Sequence, residues 1–196
     1  HNQPEVQYGF SISETQQVVF SPGNLQYTHS TDTWSFADQQ YDVIAIDSVM
    51  TDKIDRFPTF EDWGQYVINE YPSNTWRTLS RSGWDYLYNK RPNASNLIAG
   101  AEINGTDGLV VLPDNWENNS SIQFVVGTAT GQKFSTEEWE LLEFMGAVFI
   151  PSGSYWHAIT DGFCYVAIGS GGISFRLKPA PGSSPSCRVR LVKDVE

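Results

Sequence analysis

FSTEEWELLEFMGAVFIP, residues 134–151, decides the fold: it reads as one helix running into one buried strand. Ser135 fits the N-cap, and Glu138 three residues on completes a capping box. Phe134 before the cap and Trp139 at the fourth helical position are placed to form a hydrophobic staple. Trp139, Leu141, Leu142, Phe144 and Met145 cover most of the predicted circumference, and Glu140 and Glu143 mark a narrow wet stripe. Gly146 suits the left-handed position that closes a helix. Ala147, Val148, Phe149 and Ile150 then form a short apolar run, as expected of a strand buried on both faces, and Pro151 stops it.

Working outward, residues 76–92 repeat the same entry device. Ser80 is the predicted N-cap, Leu79 and Trp84 the staple, and Trp84, Leu87 and Tyr88 the apolar stripe, ended by Arg91-Pro92. Between the two helices, NLIAGAEI and GLVVLP flank a turn at 104–108, a hairpin signal. LQYTH and TWSFA form a second predicted hairpin, with Leu25, Tyr27, Trp34 and Phe36 on one face. Ser21-Pro22-Gly23-Asn24 is a turn signal. YDVIAI (41–46), IQFVVG (122–127), GFCYVAI, GISFRL and SCRVRLV are further predicted strands. Residues 47–75 lack periodicity and read as a long loop held down by aromatics, with one helical turn near 60–67. We expect a tail over 1–7 and a single domain over 8–196.

The totals exclude several classes. Charged residues are only 18% of the 196, so the chain is neither disordered nor a coiled coil. A net charge of -11 argues against nucleic acid or an anionic membrane as partner. No apolar run is long enough to span a membrane as a helix. Few lysines, with many Asn, Ser, Thr, Trp and Tyr, point to an extracellular or cell-surface protein. The chain opens on His1 rather than Met, so a signal or lipoprotein anchor is expected to have preceded it. Cys164 and Cys187 allow one disulfide or stand as two buried thiols.

Catalytic chemistry finds little footing. Ser154 and His157 are neighbours in sequence only, and the residues near Cys164 include Asp161 but no cation that would make it a thiolate. Three scattered histidines do not make a transition-metal site. Structural calcium at 104–107, or at Asp114, Glu117 and Asn118, competes with plain turn chemistry; no other cofactor is expected. The set Tyr155, Trp156, His157, Phe163, Tyr165, Phe175 and Arg176 is different. Aromatics with arginine on loops and edge strands are the makings of a binding surface.

Several stretches carry a resemblance to a known group: WRTLSRSGWDYLYNKR, INGTDGLVVLPDNW, STEEWELLEFMGAVFIPSGSYW and SCRVRLV, with FSPGNLQY and TWSFADQQYD before them. Together they resemble secreted proteins of Bacteroidetes-type bacteria, related to the formylglycine-generating-enzyme branch of the C-type-lectin-like fold. The resemblance implies an α+β domain: two helices packed on a twisted, mostly antiparallel sheet, N- and C-terminal strands close together, and long irregular loops. Some relatives are variable proteins of diversity-generating retroelements, which implies a changeable ligand surface over about 154–186. The chain departs from the family where catalysis and calcium would be: Cys164 and Cys187 lack a matching motif, Arg91-Pro92-Asn93 and Asn115-Trp116-Glu117 do not fit the calcium triplets of sugar-binding lectins, and 164–167 reads Cys-Tyr-Val-Ala where relatives read Tyr-Trp-Ser-Ser. The expectation is a non-catalytic extracellular domain that binds a surface protein or glycan through Tyr155, Trp156, His157, Phe163, Tyr165 and Arg176. An oxidase-type enzyme of the formylglycine-generating fold and a structural module of a surface assembly are the alternatives.

Overall fold

A computed structural model describes residues 7–43, 62–156, 165–176 and 187–196. The first half carries β1 (Phe10–Ser11), β2 (Gln17–Phe20), β3 (Leu25–Thr28), β4 (Thr33–Phe36) and β5 (Arg77–Thr78). Helix α1 (Arg81–Asp85) follows, prolonged by a π-helical turn (Tyr86–Lys90). The second half carries β6 (Ile98–Ile103), β7 (Thr106–Val111), β8 (Gly127–Phe134), α2 (Thr136–Phe144), β9 (Val148–Pro151) and β10 (Gly153–Trp156). It ends with β11 (Tyr165–Gly169), β12 (Gly172–Arg176), β13 (Cys187–Arg188) and β14 (Leu191–Asp194).

Both helices begin where the sequence says they should. Ser135 Oγ accepts from the Glu138 N–H at 3.1 Å, and Glu138 Oε1 accepts from the Ser135 N–H at 3.0 Å. Ser80 Oγ accepts from the Gly83 N–H at 3.0 Å. Each bond satisfies a donor that the helix start would leave orphaned. Gly146 has φ +103, and a Cβ there would meet the Tyr8 ring at 2.4 Å, so only glycine fits. Trp84 and Trp139 are both fully buried. The expectation that apolar residues of α2 cover most of its circumference as core is corrected: Trp139 and Leu142 are buried, while Leu141 is 54% and Phe144 83% exposed.

The expected C-type-lectin-like arrangement, two helices on one twisted sheet, is also corrected. The described residues form four sheets, in the orders β1-β2-β14-β5, β12-β11-β10-β13, β3-β4 and β8-β6-β7-β9, and the helices are short. The strands pair both as consecutive neighbours, as in β3–β4, β6–β7 and β10–β11–β12, and across long separations, as in β2–β14 and β10–β13. The β8-β6-β7-β9 sheet is buried on both sides. Leu109, Val111, Val148 and Ile150 face a core that includes Trp84 and Leu87; Val110 and Phe149 face another that includes Trp139 and Leu142. This is the period-2 alternation of a strand, and it puts the two helix tryptophans in different cores.

The break in SCRVRLV shows why one sheet does not form. Cys187 and Arg188 pair with β10, whereas Leu191–Asp194 pairs with β2 and β5. The chain changes sheets across Val189 and Arg190, so the expected single strand is two. The β2–β14 pairing does bring N- and C-terminal strands together as expected. The β3–β4 hairpin also follows expectation, with Leu25 opposite Phe36 and Tyr27 opposite Trp34 over a third core. In the β6–β7 hairpin, Asn104 (φ 50) and Gly105 (φ 78) form a two-residue turn of the twist such hairpins favour.

IQFVVG is not a strand. Residues 122–126 are irregular, and the Gln132 side chain takes the place of a ladder partner, accepting from the Val125 N–H at 3.0 Å and donating to the Val125 carbonyl at 2.7 Å. Pro151 ends β9 from within, paired with Gly108. The helical turn expected near 60–67 is a 3₁₀ turn at Trp63–Gln65 with Asp62 as its cap. Of YDVIAI, Tyr41 lies in a turn and 44–46 fall outside the described residues.

Candidate binding surface

The surface read from the sequence falls on β10, β11 and β12. Antiparallel pairing aligns these strands in rows. Tyr155 lies opposite Val166, and Val166 opposite Phe175. Gly153 lies opposite Ile168, and Ile168 opposite Ile173. Tyr155, Val166 and Ile168 are buried in the first core, with Phe175 and Ile173 packed against it. These two rows are the inner face. Alternation assigns the row between them, Ser154, Ala167 and Ser174, to the outer face. Ser154 and Ala167 are half-buried and Ser174 is exposed, so this face is shallow and lined by small groups.

Tyr155 is therefore corrected. It is 0% exposed, donates its hydroxyl to the Pro151 carbonyl at 2.7 Å and accepts from Asn24 Nδ2 at 3.1 Å. Burial pushes its hydroxyl pKa up, against the opposing influence of the Asn24 hydrogen bond and the nearby Arg188 and Arg190. It anchors the sheet and offers nothing to a ligand. The backbone sets Trp156 opposite Tyr165, and Tyr165 opposite Arg176, as one row across three strands. For these three the description covers the backbone; His157, Phe163 and Cys164 lie outside the described residues. Phe175 carries the Arg81 guanidinium 5.0 Å from its ring centroid.

Elsewhere in the fold lie two buried arginines that sequence reading passed over. Arg190, between β13 and β14, donates Nε and Nη2 to the Ser21 carbonyl at 3.1 and 2.8 Å, Nη1 to the Phe149 carbonyl at 2.9 Å, and Nη2 to Gln40 Oε1 at 2.7 Å. Burial lowers its pKa to about 10. Gln40 Nε2 in turn donates to Glu143 on α2 at 2.8 Å. Arg91, after the π turn, donates to the carbonyls of Leu87, Leu112 and Leu97 and to Asp114 Oδ1 at 3.2 Å. Asp114 also accepts from the Ser11 N–H and hydroxyl and from Gln17 Nε2. Burial pulls the Asp114 pKa up, but these hydrogen bonds outweigh it and hold the carboxyl below its ordinary range. The available signal was a cation inside an apolar run, Val189-Arg190-Leu191.

Among the described residues, no three His, Cys, Asp or Glu side chains are grouped to hold a metal ion. Of the two stretches weighed for calcium, residues 104–107 are the hairpin turn and the start of β7, and Asp114 is engaged with Ser11, Gln17 and Arg91. No helix of the described residues is long and apolar enough to cross a membrane. No protein-family model, curated protein or solved structure matches the chain.

Proposed function

We propose that the protein is a non-catalytic binding domain that works outside the cell or on its surface and takes a protein or glycan partner on the outer face of the β10–β11–β12 sheet. The observation that carries this reading is the row Trp156, Tyr165, Arg176, aligned across three antiparallel strands one register step from the buried row Tyr155, Val166, Phe175. Two aromatics and an arginine are the residue types most enriched in binding hot spots. A neighbouring row of small residues leaves room for a partner to approach them. The inner face is tied down by Tyr155, Val166 and Ile168, and a surface held rigid before binding loses less entropy on binding.

A glycan array and a panel of purified surface proteins identify the partner. Tyr165→Ala and Arg176→Ala are then expected to weaken binding by about 1–2 kcal/mol or more each. Tyr155→Phe, a change at the buried row, is expected to leave affinity alone. Equal affinity for wild type, Tyr165→Ala and Arg176→Ala rejects this face as the site.

A further inference from the structure

Helix α2 exposes a stripe that the fold does not use. Glu137, Glu140, Leu141 and Phe144 follow one another at intervals of three and one residues, which sets them along one side of a helix. All four are exposed, while Trp139 and Leu142 fill the core behind them. The exposure of Leu141 and Phe144 does not come from a fraying helix. The capping box holds the start, Gly146 closes the end, and the Tyr8 hydroxyl donates to the Phe144 carbonyl at 3.3 Å. The Tyr8 ring also covers Gly146 and adds apolar surface beside Phe144.

The rim of this patch is acidic. α2 contains four glutamates, Glu137, Glu138, Glu140 and Glu143, and no lysine or arginine. Tyr41 and Asp42 lie alongside: burial, and then Asp42, Glu140, Glu143 and Glu137, push the Tyr41 hydroxyl pKa up, so these carboxylates act on one place. An exposed apolar pair flanked by charge of one sign has a definite complement. A second copy of this chain does not supply it. A two-fold contact sets the same patch against itself, bringing the same carboxylates together in a chain of net charge -11. An anionic lipid surface is repelled for the same reason.

We propose that the Leu141–Phe144 side of α2 is a docking surface for a cationic amphipathic segment of another protein, whose apolar side chains cover Leu141 and Phe144 while its lysines or arginines meet Glu137 and Glu140. The surface is separate from the β10–β11–β12 face and does not depend on what that face binds.

The test uses three synthetic peptides of about 18 residues, long enough to be helical, labelled for fluorescence anisotropy: an amphipathic Leu/Lys helix, the same pattern in Leu/Glu, and a Ser/Lys peptide of equal charge. The Leu/Lys peptide is expected to bind the intact protein at least tenfold tighter than either control. Leu141→Ser/Phe144→Ser is expected to remove that advantage with little change in thermal midpoint, because exposed positions contribute little to stability. Glu137→Gln/Glu140→Gln is expected to weaken binding several-fold and to flatten its salt dependence. Leu/Lys binding no tighter than Ser/Lys binding, or unchanged in the serine variant, overturns the proposal. So does a wild-type dimer in sedimentation that the serine variant dissolves, since the occupant is then a second copy.

Discussion

Arg190 and Arg91 are both buried, and the fold accommodates them differently. Arg91 meets a carboxylate, Asp114, at the end of a set of backbone carbonyls. Among the described residues Arg190 meets none directly; its partners are two backbone carbonyls and the Gln40 amide oxygen, and Glu143 is linked to it one hydrogen bond further on. Burial lowers the pKa of both, for Arg91 against the opposing pull of Asp114 and for Arg190 to about 10. Where Arg91 has a carboxylate in direct contact, Arg190 is thus held by backbone carbonyls and an amide oxygen. Its fork reaches several carbonyls at once, which is how Arg190 joins the β1–β2 end (Ser21), β9 (Phe149) and α2 (through Gln40 and Glu143).

Removing Arg190 is the largest way to break this comparison. Arg190→Ala orphans the Ser21 and Phe149 carbonyls and leaves a cavity, at an expected cost of roughly 4 kcal/mol or more in urea denaturation, since each unpaired buried group costs ~1–3 kcal/mol. Arg190→Met restores much of the volume without the donors. If it proves as stable as wild type, the side chain serves by filling space and the hydrogen-bond argument is wrong. Asp114→Ala ranks next. It leaves Arg91 buried without its counter-charge, a loss expected to cost ~3 kcal/mol, at the low end for a broken buried pair because the Asp114 side chain is 20% exposed. An Asp114→Ala protein as stable as wild type would mean that carbonyls alone suffice for both arginines.

The same carboxylate sharpens the comparison through pH. The folded pKa of Asp114 lies below its ordinary value, so the folded protein binds this proton less readily than the unfolded chain. Its contribution is complete above the unfolded pKa of about 3.9 and is lost as pH falls through the lower folded value. Asp114→Asn cannot titrate. The drop in urea midpoint between about pH 5 and pH 3 should therefore be smaller in Asp114→Asn than in wild type, although the variant is less stable at neutral pH. An equal drop in the two proteins refutes the assignment. Arg190 is charged throughout this range and takes no part.

Neither arginine hub was read from the sequence, Arg190 offering only its place between Val189 and Leu191, whereas both helix starts were. Ser80 and Ser135 declare themselves through neighbours three and four residues away, and Asn104-Gly105 through its own backbone preferences. Such local signals survive in any fold. Which sheet a strand joins is settled by partners far along the chain, so β8, with Gly127 and Gly131 inside it, and the split of SCRVRLV between two sheets gave no sign. The candidate surface failed in one specific way. Tyr155 and Trp156 are adjacent aromatics on a strand, and a shift of one residue exchanges the two faces. Alternation between polar and apolar normally resolves that choice. Here both members are large and aromatic, so nothing in the sequence tells which one turns inward, and Tyr155, expected on the accessible face, is buried. Leu141 and Phe144 misled for the opposite reason: apolar residues on a helix were read as core, and the fold leaves them in solvent.

A third arginine supplies the smallest effect and the baseline for the other two. Arg77 Nη2 lies 2.9 Å from Asp194 Oδ1, shorter than the Arg91–Asp114 contact, yet the two side chains are 33% and 61% exposed. Distance alone would rank this pair as the stronger. Asp194 also accepts from Gln16 Nε2 at 2.8 Å, and the hydrogen bond from Arg77, followed by that from Gln16, holds its pKa below the usual carboxylate range. Water competes for every one of these atoms, and exposed ion pairs contribute ~0–1 kcal/mol. Asp194→Asn keeps the shape of the side chain and one acceptor for Arg77, so we expect a stability change below about 0.5 kcal/mol that shrinks further on adding salt. The informative result is the ratio to Asp114→Ala measured in the same buffer. A several-fold difference says that burial, not distance, sets the worth of an arginine–carboxylate contact in this protein. Equal losses would show that the β2–β14–β5 edge, where Asp194 and Arg77 meet, is held by its ion pair rather than by its backbone ladder.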